Sequence, residues 1–153
     1  KPGEDVAALG DLVRPEVELE WLPMMPYRAF LRSLGETAVG LSPVIIENAY
    51  SRGKSFGKVL GYLDARVPVI CSDEVDHGVF FRPETGIVSN DPTVWVESIV
   101  RLLDHPAQRQ AMADAAHEDF LRHLSRDAAA WRTAEFLRRV IETGGASPAR
   151  GAA

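Results

Sequence analysis

The sequence predicts an α/β domain in which helices cover both faces of a parallel sheet. Two short apolar segments, residues 38–41 and 67–71, are typical of central strands, and a serine follows each of them. Between them, apolar side chains recur at helical spacing over residues 56–63, as in a helix packed on a sheet. A strand–helix–strand unit of this kind pairs its strands in parallel, with a right-handed crossover. We therefore predict a Rossmann-like three-layer α/β/α domain with a parallel sheet and C-terminal helices.

Three smaller elements precede the first central strand. Residues 5–13 place apolar side chains at helical spacing, which predicts a short helix. Residues 17–22 alternate apolar and charged side chains, as a strand near a sheet edge does. A second helix is predicted over about residues 27–34, with apolar side chains on one side, arginines on the other and Gly35 at its end.

One short strand, residues 86–88, and three helices complete the domain. Asp91 followed by a proline predicts an N-cap with proline in the first helical turn, and Asp104-His105-Pro106 repeats the device. Ser125 is the predicted cap of the last helix. The side chains expected to face inward are Trp95, Ile99, Leu102 and Leu103 in the first of these helices, Met112, Ala116, Phe120 and Leu124 in the second, and Trp131, Ala134, Leu137 and Ile141 in the last.

Composition excludes several classes of protein. The 153 residues are 46% hydrophobic, enough to build a core, so a disordered or fibrous chain is disfavoured. The net charge is −5 and the basic residues are scattered, so we expect no nucleic-acid partner. No apolar stretch approaches the roughly 20 residues of a transmembrane helix. The single cysteine, Cys71, lies in an apolar run, which predicts a buried, inert thiol and favours a cytoplasmic location.

The loop before the central helix carries the residues most suited to chemistry. Ser55 is a predicted N-cap, and Lys54 and Lys58 add positive charge beside the free N–H groups of the first helical turn. In open α/β sheets, ligands bind at the carboxyl ends of the strands, where this loop lies. The pattern favours a diphosphate-binding site. The alternative is that both lysines are merely solvated and Ser55 merely caps the helix.

Other candidate sites are weaker. Gly53-Lys54-Ser55 lacks the glycine five residues earlier that a Walker loop requires, which disfavours a P-loop NTPase. Residues 73–77 contain Asp73, Glu74, Asp76 and His77, but we interpret them as a solvated acidic loop rather than a metal site. The remaining histidines, His105, His117 and His123, have no serine or cysteine at a motif spacing, so nucleophilic catalysis is not supported.

An ordered set of segments between residues 21 and 95 carries a resemblance that covers roughly residues 16 to 142. In order they are Trp21-Leu22-Pro23, Val39-Gly40-Leu41-Ser42-Pro43, Lys54-Ser55-Phe56-Gly57-Lys58-Val59-Leu60-Gly61-Tyr62, Val67-Pro68-Val69-Ile70-Cys71-Ser72, Thr85-Gly86-Ile87-Val88 and Trp95. This set resembles the C-terminal, nucleotide-sugar-binding domain of family 4 glycosyltransferases, which is one half of a GT-B fold. The resemblance implies a retaining, metal-independent, hexosyltransferase-type enzyme that uses a nucleotide-diphosphate sugar as donor and needs no cofactor.

The resemblance also implies site residues. The lysine-serine loop and the helix start, residues Lys54, Ser55, Phe56, Gly57 and Lys58, would bind the donor's diphosphate. The nucleotide would lie against Ser42, Pro43, Gly61 and Tyr62. Catalytic residues are not assigned.

Two departures from the family pattern bear on activity. The family has two glutamates with seven residues between them, the first near the donor sugar and the second on the ribose hydroxyls. The corresponding positions hold Gly53 and Gly61. Glu47 could substitute only if its loop folds back. The glycines favour an alternative function, a catalytically inactive glycosyltransferase-like domain that serves as a binding or scaffold module. A nucleotide-sugar epimerase of the same two-domain architecture is a third hypothesis.

The predicted domain organisation is one donor-binding domain over residues 1–142, beginning after the family's first strand, and a disordered tail over residues 143–153. The tail is rich in glycine, alanine and proline. The resemblance implies a separate N-terminal acceptor-binding domain as a partner. We therefore expect this fragment to be inactive in sugar transfer by itself.

Overall fold

A computed structural model describes residues 17–18, 20, 22–44, 50 and 53–144 of the chain. The described elements are, in order, α1 (Tyr27–Leu34), β1 (Gly40–Ser42), a 3-10 turn (Phe56–Val59) that continues into α2 (Leu60–Asp64), β2 (Val69–Cys71), α3 (His77–Phe80), β3 (Ile87–Val88), α4 (Pro92–Asp104), α5 (Pro106–His123) and α6 (Arg126–Gly144). No described helix has the length and apolar character needed to cross a membrane.

The sheet formed by the described residues has three parallel strands in the order β1-β2-β3. Gly40 pairs with Val69, and Ile70 pairs with Ile87. Helical segments connect the strands, as parallel pairing requires. The Rossmann-like α/β architecture predicted from the sequence is therefore confirmed, although the strands are shorter than predicted. The hand of the crossover stays a prediction.

Strand β2 divides the core into two parts, because successive side chains of a strand point to opposite faces of the sheet. Val69 and Cys71 pack in one cluster with Leu63 of α2 and Ala116 of α5. Ile70, between them, packs in a second cluster. That cluster contains Ile70, Leu102 and Met112, with Val39, Ile87, Trp95 and Ile99 packed against it. The interior position predicted for Trp95 is thus confirmed.

Of the predictions for the N-terminal elements, one is confirmed and one is wrong. Helix α1 has the predicted bounds, and Leu34 is its buried residue. The predicted edge strand over residues 17–22 is wrong for the residues that are described: 17, 18, 20 and 22 are exposed and belong to no strand. With Val17 57% and Leu22 54% exposed, no apolar burial favours pairing there. Leu19, Trp21 and the helix predicted over residues 5–13 lie outside the described residues.

For the last three helices, two of the three predicted N-caps agree with the sequence. The carboxylate of Asp91 accepts a hydrogen bond from the Thr93 N–H at 2.8 Å, and Ser125 Oγ accepts one from the Ala128 N–H at 3.2 Å. At residues 104–106 the predicted proline in the first helical turn is confirmed, since Pro106 begins α5, but the predicted cap is wrong, because His105 makes no side-chain capping hydrogen bond. Its Nδ1 lies instead 3.0 Å from the carbonyl oxygen of Arg101, at the end of α4.

Helix α6 does not bury the residues predicted to face inward. Trp131 is 65% exposed, Leu137 53% and Ile141 74%. Leu103 in α4 is also exposed, contrary to prediction. Among the described elements α6 packs mainly against α5, and large apolar side chains along α6 remain exposed. The core position predicted for Trp131 is therefore wrong, because helical periodicity identifies an apolar face without specifying what covers it.

Candidate functional site

Two adjoining cavities open at the carboxyl end of β1. The first has a volume of about 220 Å³ and the second about 370 Å³. Both include Ser42, Pro43 and Lys58 in their walls. The remaining described walls are Val44, Lys54, Ser55, Val75 and His77 in the first cavity, and Tyr27, Phe30, Leu41, Gly57, Gly61 and Tyr62 in the second.

The structure brings the residues predicted from the sequence into one region. All four residues predicted for the nucleotide line these cavities, and so do four of the five predicted for the diphosphate. The fifth, Phe56, begins the 3-10 turn between Ser55 and Gly57. Residues that the sequence separates by about a dozen positions or more are therefore neighbours, because β1 delivers Ser42 to the same sheet edge as the turn.

The turn itself differs from the predicted continuous helix. Ser55 occupies the N-cap position with extended backbone angles, but its hydroxyl makes no capping hydrogen bond. The first turn is 3-10, and only five residues of α-helix follow it. A helix dipole is consequently a small contributor here, and the charge of this site comes mainly from its side chains.

The two lysines occupy different surroundings. The Lys54 ammonium lies over the ring of Tyr50, 4.5 Å from its centroid, and the side chain is partly buried. Lys58 is exposed and lies between the two cavities. A cation–π contact near the surface contributes only about 0.5–1 kcal/mol, so a bound anion would compete for the Lys54 ammonium.

Strand ends hold the far wall of the first cavity in place. The Ser72 hydroxyl accepts a hydrogen bond from the Val44 N–H at 2.9 Å, joining the segments that follow β1 and β2. The Ser72 N–H donates to the carbonyl oxygen of Ser42 at 3.3 Å. One residue later, the Asp73 N–H donates to the Asn90 side chain at 2.9 Å. The carboxyl ends of all three strands are thereby tied together.

Six described lining residues are not predicted from the sequence: His77, Tyr27, Phe30, Leu41, Val44 and Val75. His77 differs most from its prediction. It was interpreted as part of a solvated acidic loop, yet it is only 1% exposed and lines the first cavity. Asp73 and Asp76 are exposed as expected. The available signal was the spacing of His77 and Phe81, one helical turn apart. Phe81 is buried, and the ring centroids lie 6.3 Å apart. Burial of Phe81 therefore carries the start of α3 inward.

No group of three or more histidine, cysteine or acidic side chains among the described residues is arranged to hold a metal ion. A family model for glycosyl transferase-like proteins matches residues 2–137, most of the chain. The chain belongs to the glycosyl transferase-like family. No curated protein and no solved structure matches the sequence significantly. Family membership supports a role in glycosyl transfer.

Gly61 has a packing role in this glycosyl transferase-like chain. It is buried, and a β-carbon at residue 61 would stand 3.1 Å from Leu34 Cδ1 and 3.3 Å from Leu31 Cδ2. The direction of a side chain at this position is thus toward α1. The resemblance places a ribose-binding glutamate here, and close packing between α1 and α2 disfavours one. Gly53, at the other glutamate position, is exposed.

Cys71 lies beneath the site and takes no part in its polar walls. Burial raises the pKa of its thiol to about 12, with a smaller contribution from the charge of Asp73. Its Sγ lies 3.6 Å from the carbonyl oxygen of Ile87. The buried, inert thiol predicted from the sequence is confirmed, because the thiolate is the reactive form.

Proposed function

We propose that this domain binds the nucleotide-diphosphate sugar donor of a retaining, hexosyltransferase-type glycosyltransferase of family 4 type. The observation that carries the proposal is the convergence of Lys54, Ser55 and Lys58 with Ser42 in the wall of one cavity. Two ammonium groups and two hydroxyls in a concave site are suited to an anion with several oxygen atoms. Membership of the glycosyl transferase-like family supports the choice of the diphosphate of an activated sugar as this anion.

The second cavity suits the nucleoside. Tyr27 and Phe30 line it with ring centroids 6.5 Å apart, and Tyr62 contributes a third aromatic ring. Ligand pockets commonly measure about 300–1,000 Å³, so the first cavity alone is too small for a whole nucleotide. A diphosphate at Lys58, the one charged residue among the three described residues that line both cavities, would place the base in the aromatic cavity and the transferred sugar on the other side.

The chemical role of the lysines follows from the reaction. When the sugar departs, negative charge develops on the diphosphate leaving group. Fixed positive charges aimed at that group stabilise the transition state more than the ground state. In the proposal Lys54 and Lys58 supply this charge without a metal or another cofactor.

Sugar transfer also needs an acceptor. The proposal assigns acceptor binding to a separate N-terminal domain of a GT-B architecture, and expects this domain alone to bind the donor without transferring the sugar. It places the protein in the cytoplasm. A reducing compartment suits the free buried thiol of Cys71, and the proposed donor would be available there.

A second candidate function is a glycosyltransferase-like domain that has lost catalysis and serves as a binding or scaffold module. The observation that favours it is the pair of glycines at positions 53 and 61. With them, the described walls of the two cavities contain no carboxylate. This candidate predicts no binding of any sugar nucleotide.

Calorimetric titration of the full chain with UDP, GDP, UDP-glucose and GDP-mannose tests the proposal. Hydrogen bonds to charged groups contribute about 1.5–3 kcal/mol, so Lys58→Ala should weaken binding at least about tenfold. Lys54→Ala should also weaken binding, by less, because its ammonium already contacts Tyr50. Arg126→Ala is the matched control, since it removes one positive charge from an exposed site at the start of α6.

Two results would overturn the proposal. One is the absence of saturable binding by the wild-type chain to all four ligands, which would favour the non-catalytic candidate. The other is nucleotide binding by Lys54→Ala and Lys58→Ala that is as strong as binding by the control variant Arg126→Ala. Raising the salt concentration should weaken binding in the wild type more than in the double lysine variant.

A further inference from the structure

His77 has a ring nitrogen in the first cavity that makes no hydrogen bond to the described residues. Its Nδ1 lies 2.8 Å from the carbonyl oxygen of Ser72. A carbonyl oxygen can only accept, so Nδ1 carries the hydrogen of this bond. In the neutral imidazole the other nitrogen, Nε2, then holds a lone pair and acts as an acceptor.

This acceptor is buried and has no hydrogen-bond partner among the described residues. Nearly all buried polar atoms in folded proteins are paired, so an unpaired one calls for an explanation. In a tightly packed apolar pocket, nothing could offset the free-energy cost of burying the unpaired Nε2. His77, however, lines a cavity with room for a ligand group beside it.

The backbone leading to His77 is held in an unusual conformation. Val75 has a φ of 49° and Asp76 a φ of 68°, and neither is a glycine. A β-branched residue such as Val75 is rarely found at positive φ, and strain of this kind clusters at ligand sites. Val75 lines the same cavity as His77. The strained turn is what delivers the imidazole to the cavity wall.

The charged neighbours of His77 in the cavity donate hydrogen bonds and cannot accept them. Lys54 and Lys58 carry only hydrogen-bond donors, which suit phosphate oxygens. Ionised phosphate oxygens accept hydrogen bonds and offer no hydrogen, so they cannot satisfy Nε2 of the neutral imidazole. A ligand held by the lysines would satisfy Nε2 through a different group, one that donates.

We infer that His77 Nε2 accepts a hydrogen bond from a sugar hydroxyl of the bound nucleotide or nucleotide sugar. The inference rests on the proposed function, because it places a hydroxyl-bearing diphosphate at the lysines. The hydroxyl belongs either to the ribose or to the transferred sugar, and both supply the same chemistry. His77 is thus a specificity residue that distinguishes hydroxyl-bearing ligands from a bare diphosphate.

The test compares inorganic pyrophosphate, which has no hydroxyl, with UDP, GDP, UDP-glucose and GDP-mannose, titrated into the full chain. In His77→Asn, the amide nitrogen can still donate to the Ser72 carbonyl, but the acceptor at the Nε2 position is lost. Loss of one neutral hydrogen bond should weaken binding of the hydroxyl-bearing ligands about tenfold. Pyrophosphate affinity should stay within about twofold.

Two further arms identify the hydroxyl and control for folding. If 2′- or 3′-deoxy nucleoside diphosphates show no penalty in His77→Asn, the ribose is the donor; a penalty confined to the two sugar nucleotides identifies the transferred sugar. His77→Gln, whose amide oxygen can reach the Nε2 position, should recover part of the affinity. Nitrogen NMR of the wild-type histidines adds a measurement without mutation, because the His77 Nε2 resonance should move with a bound sugar nucleotide, which carries both candidate hydroxyls, but not with pyrophosphate.

The outcomes separate the two proposals. Wild-type binding of hydroxyl-bearing ligands that His77→Asn leaves unchanged overturns the inference and leaves the donor-binding function standing. Equal losses for pyrophosphate and nucleotides also overturn it, because His77 would then only support the shape of the cavity. If the wild type binds neither pyrophosphate nor any nucleotide, the donor-binding function itself fails, and the assignment of His77 fails with it.

Discussion

The ring of Tyr62 lies directly against the backbone of Gly40: a β-carbon at residue 40 would stand 2.7 Å from Cδ1 of that ring. Real β-carbons do not approach other atoms so closely. Gly40 begins β1, whereas Tyr62 belongs to α2 and lines the second cavity. The absence of a side chain in a central strand therefore determines where one aromatic wall of the site lies.

Gly40→Ala should displace this ring and destabilise the domain. Over-packing a core typically costs about 1–3 kcal/mol, and the free energy of unfolding in urea measures this loss. Gly35→Ala is the matched control, because Gly35 has helical angles and a β-carbon there would lie 3.4 Å from the nearest atom, an ordinary contact. Equal stability of the two variants would show that Tyr62 moves aside without cost.

Gly61→Glu should not create a working ribose-binding carboxylate. Because its side chain would start toward Leu31 and Leu34, we expect a loss of about 1–3 kcal/mol in stability and no gain in affinity for UDP or GDP. Gly53→Glu provides the comparison, since residue 53 is exposed. It should leave stability within about 0.5 kcal/mol of the wild type. A tighter nucleotide complex in Gly61→Glu would show that the glutamate does reach the cavity.

The sequence predicts this fold and site best where one local pattern decides the outcome. An aspartate before a proline has one favourable use at a helix start, and Asp91 caps its helix as predicted. The family resemblance assigns Ser42 and Lys58 to one site, and the rule that ligands bind at the carboxyl ends of parallel strands favours the same place for the lysine loop. Neither inference needs knowledge of which side chains meet across the domain.

Prediction fails where burial depends on contacts between distant elements. His77 has the neighbours of a surface loop in sequence, but the packing of Phe81 draws it into the interior. Residues 17–22 alternate like a strand, yet the described ones find no partner that would bury their apolar side. A periodic pattern specifies a face, and only the assembled domain specifies what that face meets.

The raised pKa of Cys71 makes stability depend on pH in the alkaline range. In the unfolded chain the thiol loses its proton near its ordinary pKa of 9.0, whereas in the fold it keeps the proton until about pH 12. Its contribution to stability is therefore complete below pH 9 and is lost as pH rises through 12. The free energy of unfolding should fall up to about 1.4 kcal/mol per pH unit more steeply than in Cys71→Ala.

Two measurements check this behaviour. Urea unfolding of the wild type and Cys71→Ala at several pH values between 9 and 12 gives the difference in slope, because all other titrating groups are common to both. At pH 8, a thiol reagent should modify Cys71 only in denaturant. Rapid modification of the folded chain, or parallel pH profiles for the two proteins, would contradict the proposed burial of the thiol.

Truncation of an exposed side chain on the apolar face of α6 should cost less stability than truncation of a buried one. Leu102 is fully buried beneath the sheet, whereas Trp131 is 65% exposed. Leu102→Ala should cost about 2–5 kcal/mol of stability, because it removes buried methyl groups and leaves a cavity. Trp131→Ala should change the free energy of unfolding by no more than about 0.5 kcal/mol. Urea unfolding at low protein concentration would measure both changes in the free energy of unfolding.

Protein concentration makes the comparison sharper. If Trp131→Ala costs as much as Leu102→Ala at every concentration, a surface within the same chain covers the face of α6, and the exposure of Trp131 is wrong. If the cost appears only as concentration rises, the face is covered by a second copy. If Trp131→Ala costs little stability at every concentration, Trp131 belongs to no core, and helical spacing by itself is the reason for the wrong prediction.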